Sequence, residues 1–137
     1  MKILKLLFLV GLFVFISCDT IVECVINKRP EIEDKSFDVG NVNGYYYQKL
    51  TSEIKNETGD DNYIYNYEIY GDLPGGLEMS TDNRILIIEG MPNASGTFSF
   101  TIYLYVDAPE YYDEDSGQYK DGMCSNSTSK KITIIIN

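Results

Sequence analysis

The sequence predicts an all-β fold, an antiparallel β-sandwich of about seven strands. Three observations carry this. Residues Thr97 to Val106 alternate without a break: Phe98, Phe100, Ile102, Leu104 and Val106 share one face, and Thr97, Ser99, Thr101, Tyr103 and Tyr105 share the other. That is the period of two of a half-buried strand. Clusters of Gly, Asn, Asp and Pro recur between short apolar segments, where the chain has to turn. Beyond the first 17 residues no stretch repeats its apolar positions at helical spacing.

The first element is a targeting segment. Lys2 and Lys5 form a short positive start, and Leu6 to Ile16 is an apolar run broken only by Gly11. The run has the length of a signal-peptide core and is too short to span a bilayer as a free helix. Phe15-Ile16-Ser17-Cys18 follows and resembles a bacterial lipobox, with Phe15 in place of the usual leucine. The resemblance implies a diacylglycerol on the Cys18 sulfur, cleavage before it and acylation of the new amino terminus. Residues 1–17 are then a signal peptide and residues 18–29 a lipidated tether. The alternatives are an ordinary signal peptide cut near Ser17 and an uncleaved anchor. One acyl chain binds a membrane weakly, at about 0.8 kcal/mol per buried methylene, whereas several hold firmly. The expected location is a bacterial cell envelope, with inner membrane, outer membrane and surface all open. Asp19 after the cysteine resembles a retention signal for the inner membrane in enteric bacteria, and in other phyla early acidic residues accompany surface export.

The 120 residues from Cys18 to Asn137 suit one domain, expected over residues 30–137. With Lys2 and Lys5 removed, nine basic residues face 21 acidic ones, a net charge of −12. Nucleic acid and anionic headgroups repel such a chain. Twelve tyrosines without a tryptophan fit strands that show one wet face.

The strands are expected in this order. Pro30 leads into an edge strand over Glu31 to Phe37. A second strand runs from Tyr45 to about Ile54, where poorly sorted faces suggest a bulge. Asn56 to Asn62 turns. Tyr63 to Tyr70 puts Tyr65, Tyr67 and Ile69 on one face and Asn66, Glu68 and Tyr70 on the other. A short strand over Leu77 to Met79, a turn at Thr81 to Asn83, and a strand over Arg84 to Glu89 with Leu86 and Ile88 inward come next. The long alternating strand follows, and the last is Lys131 to Ile136 with Ile132, Ile134 and Ile136 inward.

Several of these pieces form one pattern: Leu73-Pro74-Gly75-Gly76-Leu77, Ile88-Glu89-Gly90-Met91-Pro92, Ser95-Gly96 opening the long strand, and Asp107 closing it. It resembles the Ig-like domain family of bacterial surface proteins, close to the dystroglycan-type cadherin-like domains. The resemblance covers roughly Pro30 to Asn137 and implies an Ig-like sandwich. Gly76 and Gly90 fall where the chain turns sharply, which glycine does at positive φ without steric cost. The domain is expected to stand alone on its anchor, a departure from the family's usual tandem arrays. It also departs in Ala108 to Ser129, a 22-residue acidic connection where the family has a short hairpin.

With Cys18 lipidated, Cys24 and Cys124 remain as a pair in an oxidising compartment. In an Ig-like sandwich the first strand often runs parallel to the last. Each cysteine stands just before one of those strands, so a disulfide is expected, against two free thiols.

The chain has no histidine, which removes Ser-His and Cys-His catalysis and the commonest zinc ligand. Carboxylates abound, but a small sandwich offers no deep cleft to perturb them, and no enzymatic activity is expected. Asp107, Glu110, Asp113, Glu114, Asp115 and Asp121 make calcium the metal to consider. The cadherin-like relatives hold calcium between neighbouring domains. Here residues 113–117 depart from EF-hand spacing, so a solvated loop is expected, with no cofactor. Asn56, Asn93 and Asn126 head N-glycosylation triplets, expected to be chance in a bacterium.

The expected function is a non-catalytic binding module of the envelope, held on a membrane by its lipid. Its partner is expected to be an envelope or surface protein, taken through Tyr103 and Tyr105 and through Tyr111, Tyr112, Asp113, Glu114 and Asp115. Two alternatives stay open. One is a structural accessory lipoprotein. The other is a carbohydrate-binding module that stacks sugars on the outward tyrosines Tyr70, Tyr103 and Tyr105, positions that ordinary cross-strand pairing also explains.

Overall fold

The computed structural model describes residues 24–137, so the targeting segment and Cys18 lie outside the described residues. Among the described residues nine strands form: β1 (Arg29–Ile32), β2 (Tyr46–Lys55), β3 (Ile64–Gly71), β4 (Leu77–Asp82), β5 (Ile85–Gly90), β6 (Gly96–Asp107), β7 (Tyr111–Asp113), β8 (Gln118–Lys120) and β9 (Ser127–Ile136). Seven of them build a sandwich. One sheet runs β1-β2-β5-β4 and the other β3-β6-β9, every named pairing being antiparallel. In chain order this is the four-plus-three arrangement of a constant-type Ig domain. The fold is an all-β, Ig-like antiparallel sandwich.

Alternation explains the two-sheet packing. On β6, Phe100, Ile102, Leu104 and Val106 are buried, while Tyr103 and Tyr105 face out. Ile132, Ile134 and Ile136 of β9 and Leu86 and Ile88 of β5 complete the core with Leu50 and Ile54 of β2. At roughly 25 cal/mol per Å² of apolar surface removed from water, this interior is the main stabilising contribution.

The β2 strand corrects one expectation. It contains no bulge: its register runs unbroken from Tyr46 opposite Gly90 to Lys55 opposite Arg29, and its burial alternates cleanly. Two inward positions are polar, Gln48 and Ser52, which blurs the pattern in the sequence. Gln48 Nε2 donates to Asp38 Oδ2 at 3.1 Å. Ser52 Oγ is enclosed without a well-formed hydrogen bond, and the Tyr67 hydroxyl beside it gives its proton to the Arg84 carbonyl oxygen.

The first strand is also displaced. β1 is Arg29–Ile32 rather than 31–37, and it pairs with β2 rather than with the last strand. The following segment crosses to the other sheet, where Gly40 bridges Ile136 in parallel, its N–H bonding to Ile135 O at 2.8 Å. A Cβ at Gly40 would press on the side chains of Ile136 and Tyr46, so the crossing is made where there is none. Parallel pairing of the first segment with the last strand therefore occurs, but through Gly40.

The motif glycines have a shared reason. Gly76 and Gly90 adopt φ of +89° and +141°, and their backbones abut, with Met91 N–H donating to Gly76 O at 3.1 Å. A Cβ on Gly76 would collide with Met91 O, and one on Gly90 with Gly76 O. Positive φ and close approach coincide, so only glycine fits at either position.

At its other end the sandwich gathers the start of β1, the ends of β2 and β6, and the starts of β3 and β9. Cys24 and Cys124 form a disulfide there, with Cα atoms 4.8 Å apart. From Cys24 onward the expected tether is fastened to the sandwich. Cys124 N–H donates to Lys28 O at 2.8 Å, Asn56 Nδ2 donates to Ile26 O at 2.5 Å, and Lys28 Nζ meets Glu57 Oε2 at 2.6 Å.

The acidic connection after β6 is not a plain loop. It folds as a small hairpin, β7 against β8, with Tyr112 opposite Tyr119. The last strand starts at Ser127, four residues before the expected Lys131, because the polar residues 127–131 continue the ladder beside β6.

Candidate functional site

The expected binding residues fall on two separate surfaces. Tyr103 and Tyr105 stand on the outer face of the β3-β6-β9 sheet. Tyr111, Tyr112, Asp113, Glu114 and Asp115 belong to the β7–β8 hairpin at the disulfide end. The hairpin contributes nothing to the lining of the sheet-face concavity.

That concavity is shallow, with a volume of about 610 Å³, and is lined by Asn66, Glu68, Tyr70, Thr101, Tyr103 and Tyr105 among others. Antiparallel register assembles it. Asn66 stands opposite Tyr105, Glu68 opposite Tyr103, and Tyr70 opposite Thr101. Period two sends all six side chains to the outer face. Tyr70 and Tyr103 are diagonal neighbours whose rings meet edge to face, with centroids 5.1 Å apart. Their hydroxyl and amide neighbours are ordered too. Tyr70 donates to Glu68 Oε2 at 2.9 Å, Asn126 Nδ2 donates to the Tyr105 hydroxyl at 3.2 Å, and Asn66 Nδ2 donates to Asp107 Oδ2 at 3.2 Å. The hydrogen bond to the Glu68 carboxylate raises the Tyr70 pKa, so the phenol stays protonated. The result is a set of outward aromatic rings with carboxylate and amide groups beside them.

Sequence reasoning placed Tyr70, Tyr103 and Tyr105 on this face but did not assemble Asn66, Glu68 and Thr101 with them. The signal was available, since Asn66 and Glu68 share the outward parity of Tyr70. What was missing was the register of β3 against β6.

In the hairpin, Asp113 is committed to the turn. Its carboxylate pairs with Lys120, and its Oδ1 accepts the N–H of Asp115 at 2.9 Å and that of Ser116 at 3.3 Å. The Lys120 hydrogen bond, with those of Ser116 and Asp115, holds its pKa down at about 2. Glu114 and Asp115 are exposed at the tip, and Tyr112 and Tyr119 meet edge to face at 5.4 Å. Among the described residues no three His, Cys, Asp or Glu side chains converge as a metal site. No described helix is long and apolar enough to cross a membrane.

No family model matches the chain, and no curated protein matches it. Among solved structures it is similar to the endo-fucoidan hydrolase MfFcnA4 from glycoside hydrolase family 107, with 20% identity and a TM-score of 0.50 over 80% of this chain and 14% of that one. It is similar to the family 107 endo-fucoidan hydrolase MfFcnA9, with 15% identity and a TM-score of 0.51 over 84% of this chain and 18% of that one. Titin domain M7 matches with 10% identity and a TM-score of 0.45, over 80% of this chain and 95% of that one. The chain spans less than a fifth of the hydrolases' length, and at these identities the likeness is one of fold.

Proposed function

We propose that this chain is a non-catalytic interaction module of a bacterial cell envelope, of the Ig-like surface-domain type, held by lipid on Cys18. It takes a protein partner on the outer face of the β3-β6-β9 sheet. The observation that carries this is the set of half-exposed tyrosines, Tyr70, Tyr103 and Tyr105, on one sheet face around a shallow concavity. Tyrosine is enriched where proteins bind one another, because a rigid ring covers much area with little entropy to lose. Edge-to-face contact and hydroxyl bonds hold these rings in advance of binding. The absence of histidine from the sequence supports the non-catalytic reading.

The test is capture of the partner from crosslinked envelopes by the lipidated protein, compared with Tyr103→Ala and Tyr105→Ala. Either truncation is expected to cut capture by tenfold or more, since a buried aromatic anchor contributes about 2 kcal/mol or more. Undiminished capture by both variants rejects this face.

A glycan is the second reading, favoured by the carboxylate of Glu68 and the amide of Asn66 beside the tyrosine rings. Ring faces with flanking hydrogen-bonding groups are what a sugar needs. Binding on a glycan array that is lost with Tyr103→Ala distinguishes it from the first.

A further inference from the structure

We infer that the disulfide end of the sandwich is a membrane-contact surface that rests end-on in the headgroup region of a neutral bilayer. The inference depends on the lipidated-Cys18 reading proposed above.

Two independent features of the chain meet at this end. The first is reach. Five residues, or six Cα–Cα steps, separate Cys18 from Cys24, where the chain is fastened by the disulfide. Fully extended, they span about 20 Å. The 12 residues of β6 alone measure roughly 40 Å at 3.4 Å each. A lipid on Cys18 therefore keeps the disulfide end within about 20 Å of the bilayer, and a sandwich standing upright on its opposite end is out of reach.

The second is surface chemistry. Val25, Ile26 and Ile64 at this end are between 50% and 76% exposed, and Tyr111, Tyr112 and Tyr119 of the hairpin between 48% and 70%. Apolar side chains beside tyrosines are the composition of a membrane–water interface, where an apolar body meets lipid and a hydroxyl meets water. The hairpin is presented rather than loose. Tyr112 and Tyr119 pair across the strands, Asp113 locks the turn, and Cys124 ties the chain just after the hairpin to the segment at Cys24.

Charge selects the lipid. Lys28 faces Glu57, Lys55 faces Glu31, Arg84 faces Asp60 and Asp61, Lys120 faces Asp113, and Arg29 is an exposed cation. Glu110, Glu114, Asp115 and Asp121 add further negative charge, so an anionic surface is repelled and a zwitterionic one is accepted.

The chain contains no tryptophan, so one introduced residue reports its own depth. Tyr119→Trp and, at the opposite end, Tyr45→Trp are each made in the full lipidated protein. Each is labelled with palmitate and reconstituted in phosphatidylcholine vesicles containing lipid brominated near the glycerol. Quenching of Tyr119→Trp severalfold stronger than of Tyr45→Trp is expected, and a lesser effect when phosphatidylglycerol replaces part of the lipid. Palmitate-labelled protein with equal quenching at the two positions overturns the end-on contact and leaves the lipid reading intact. Quenching that rises with phosphatidylglycerol overturns the lipid preference. Protein without palmitate label overturns both the contact and the reading on which it rests.

Discussion

Removing the Cys24–Cys124 bridge is the most informative perturbation of this fold. It joins residues 100 apart, close to the whole span of the sandwich. In the chain-entropy model a loop of that length stabilises by about 4.7 kcal/mol, by restricting the unfolded chain. Both cysteines are exposed. The double variant Cys24→Ser/Cys124→Ser therefore loses little buried surface, and its stability change isolates the cross-link. With an unfolding entropy of about 2.1 cal/mol/K per residue, a domain this size shifts roughly 4 °C per kcal/mol. A fall in Tm of about 12–18 °C is expected, allowing for native strain and residual structure in the unfolded chain. Urea titration should show it as a midpoint drop of roughly 2 M at a slope of about 2 kcal/mol/M. Dithiothreitol should bring the wild-type protein to the same midpoint and leave the variant unchanged. A difference under about 1 kcal/mol between wild type and variant refutes the entropic account. Alkylation of both cysteines in native exported protein, without reductant, refutes the bridge itself.

Gly90→Ala forces a Cβ against Gly76 O at φ +141°, and a loss of about 1–3 kcal/mol in urea titration is expected, with no change in slope. The Lys28 hydrogen bond, with those of Gly59 and Tyr63, holds Glu57 down at about 2 against an ordinary 4.5. Its contribution is therefore fully present above the ordinary value and lost as pH falls through about 2, and urea midpoints of Glu57→Gln should fall less steeply across that window. Ser52→Ala removes a buried hydroxyl that lacks a well-formed hydrogen bond, so calorimetry should find it within about 1 kcal/mol of wild type or more stable. Cys18→Ser should leave the membrane fraction or stall as an unprocessed precursor, and palmitate label persisting in that variant contradicts the lipid anchor.

The strands of the core were legible because alternation at β6, β5 and the end of β9 is nearly pure. The positions that misled have local causes. Gln48 and Ser52 point inward with polar side chains, and parity read from hydropathy alone turned them into a bulge. Ser127 to Lys131 carries no apolar signal, yet it is strand because β6 offers it a ladder to complete. The β7–β8 hairpin is three residues a side, held by Asp113 and a tyrosine pair, too short for periodicity to register. The candidate face was half legible for a different reason. Parity gives the direction in which a side chain points, but only the register of β3 against β6 brings Glu68 beside Tyr103.

The separation of the two tyrosine surfaces constrains what each can do. The fastening at Cys24, Ile26 and Lys28 makes these residues part of the sandwich, so a lipid on Cys18, as proposed, would hold the disulfide end near the bilayer. Heights along β6 then follow from strand geometry. Tyr105 and Tyr103 stand two and four residues above Asp107, roughly 7 and 14 Å from that end at 3.4 Å per residue. Tyr70, opposite Thr101, lies about 20 Å up. On the proposed anchor the sheet face would be lateral and low, within reach of a folded domain standing on the same bilayer. A neighbour confined to the membrane gains an effective concentration set by the short tether, which raises apparent affinity without a new contact. On the proposed anchor, that geometry would favour a membrane-resident protein over a free glycan as the occupant of the Tyr70, Tyr103 and Tyr105 face. It also implies that lengthening the segment between Cys18 and Cys24 with a flexible insert should weaken partner capture in envelopes while leaving binding to solubilised partner unchanged.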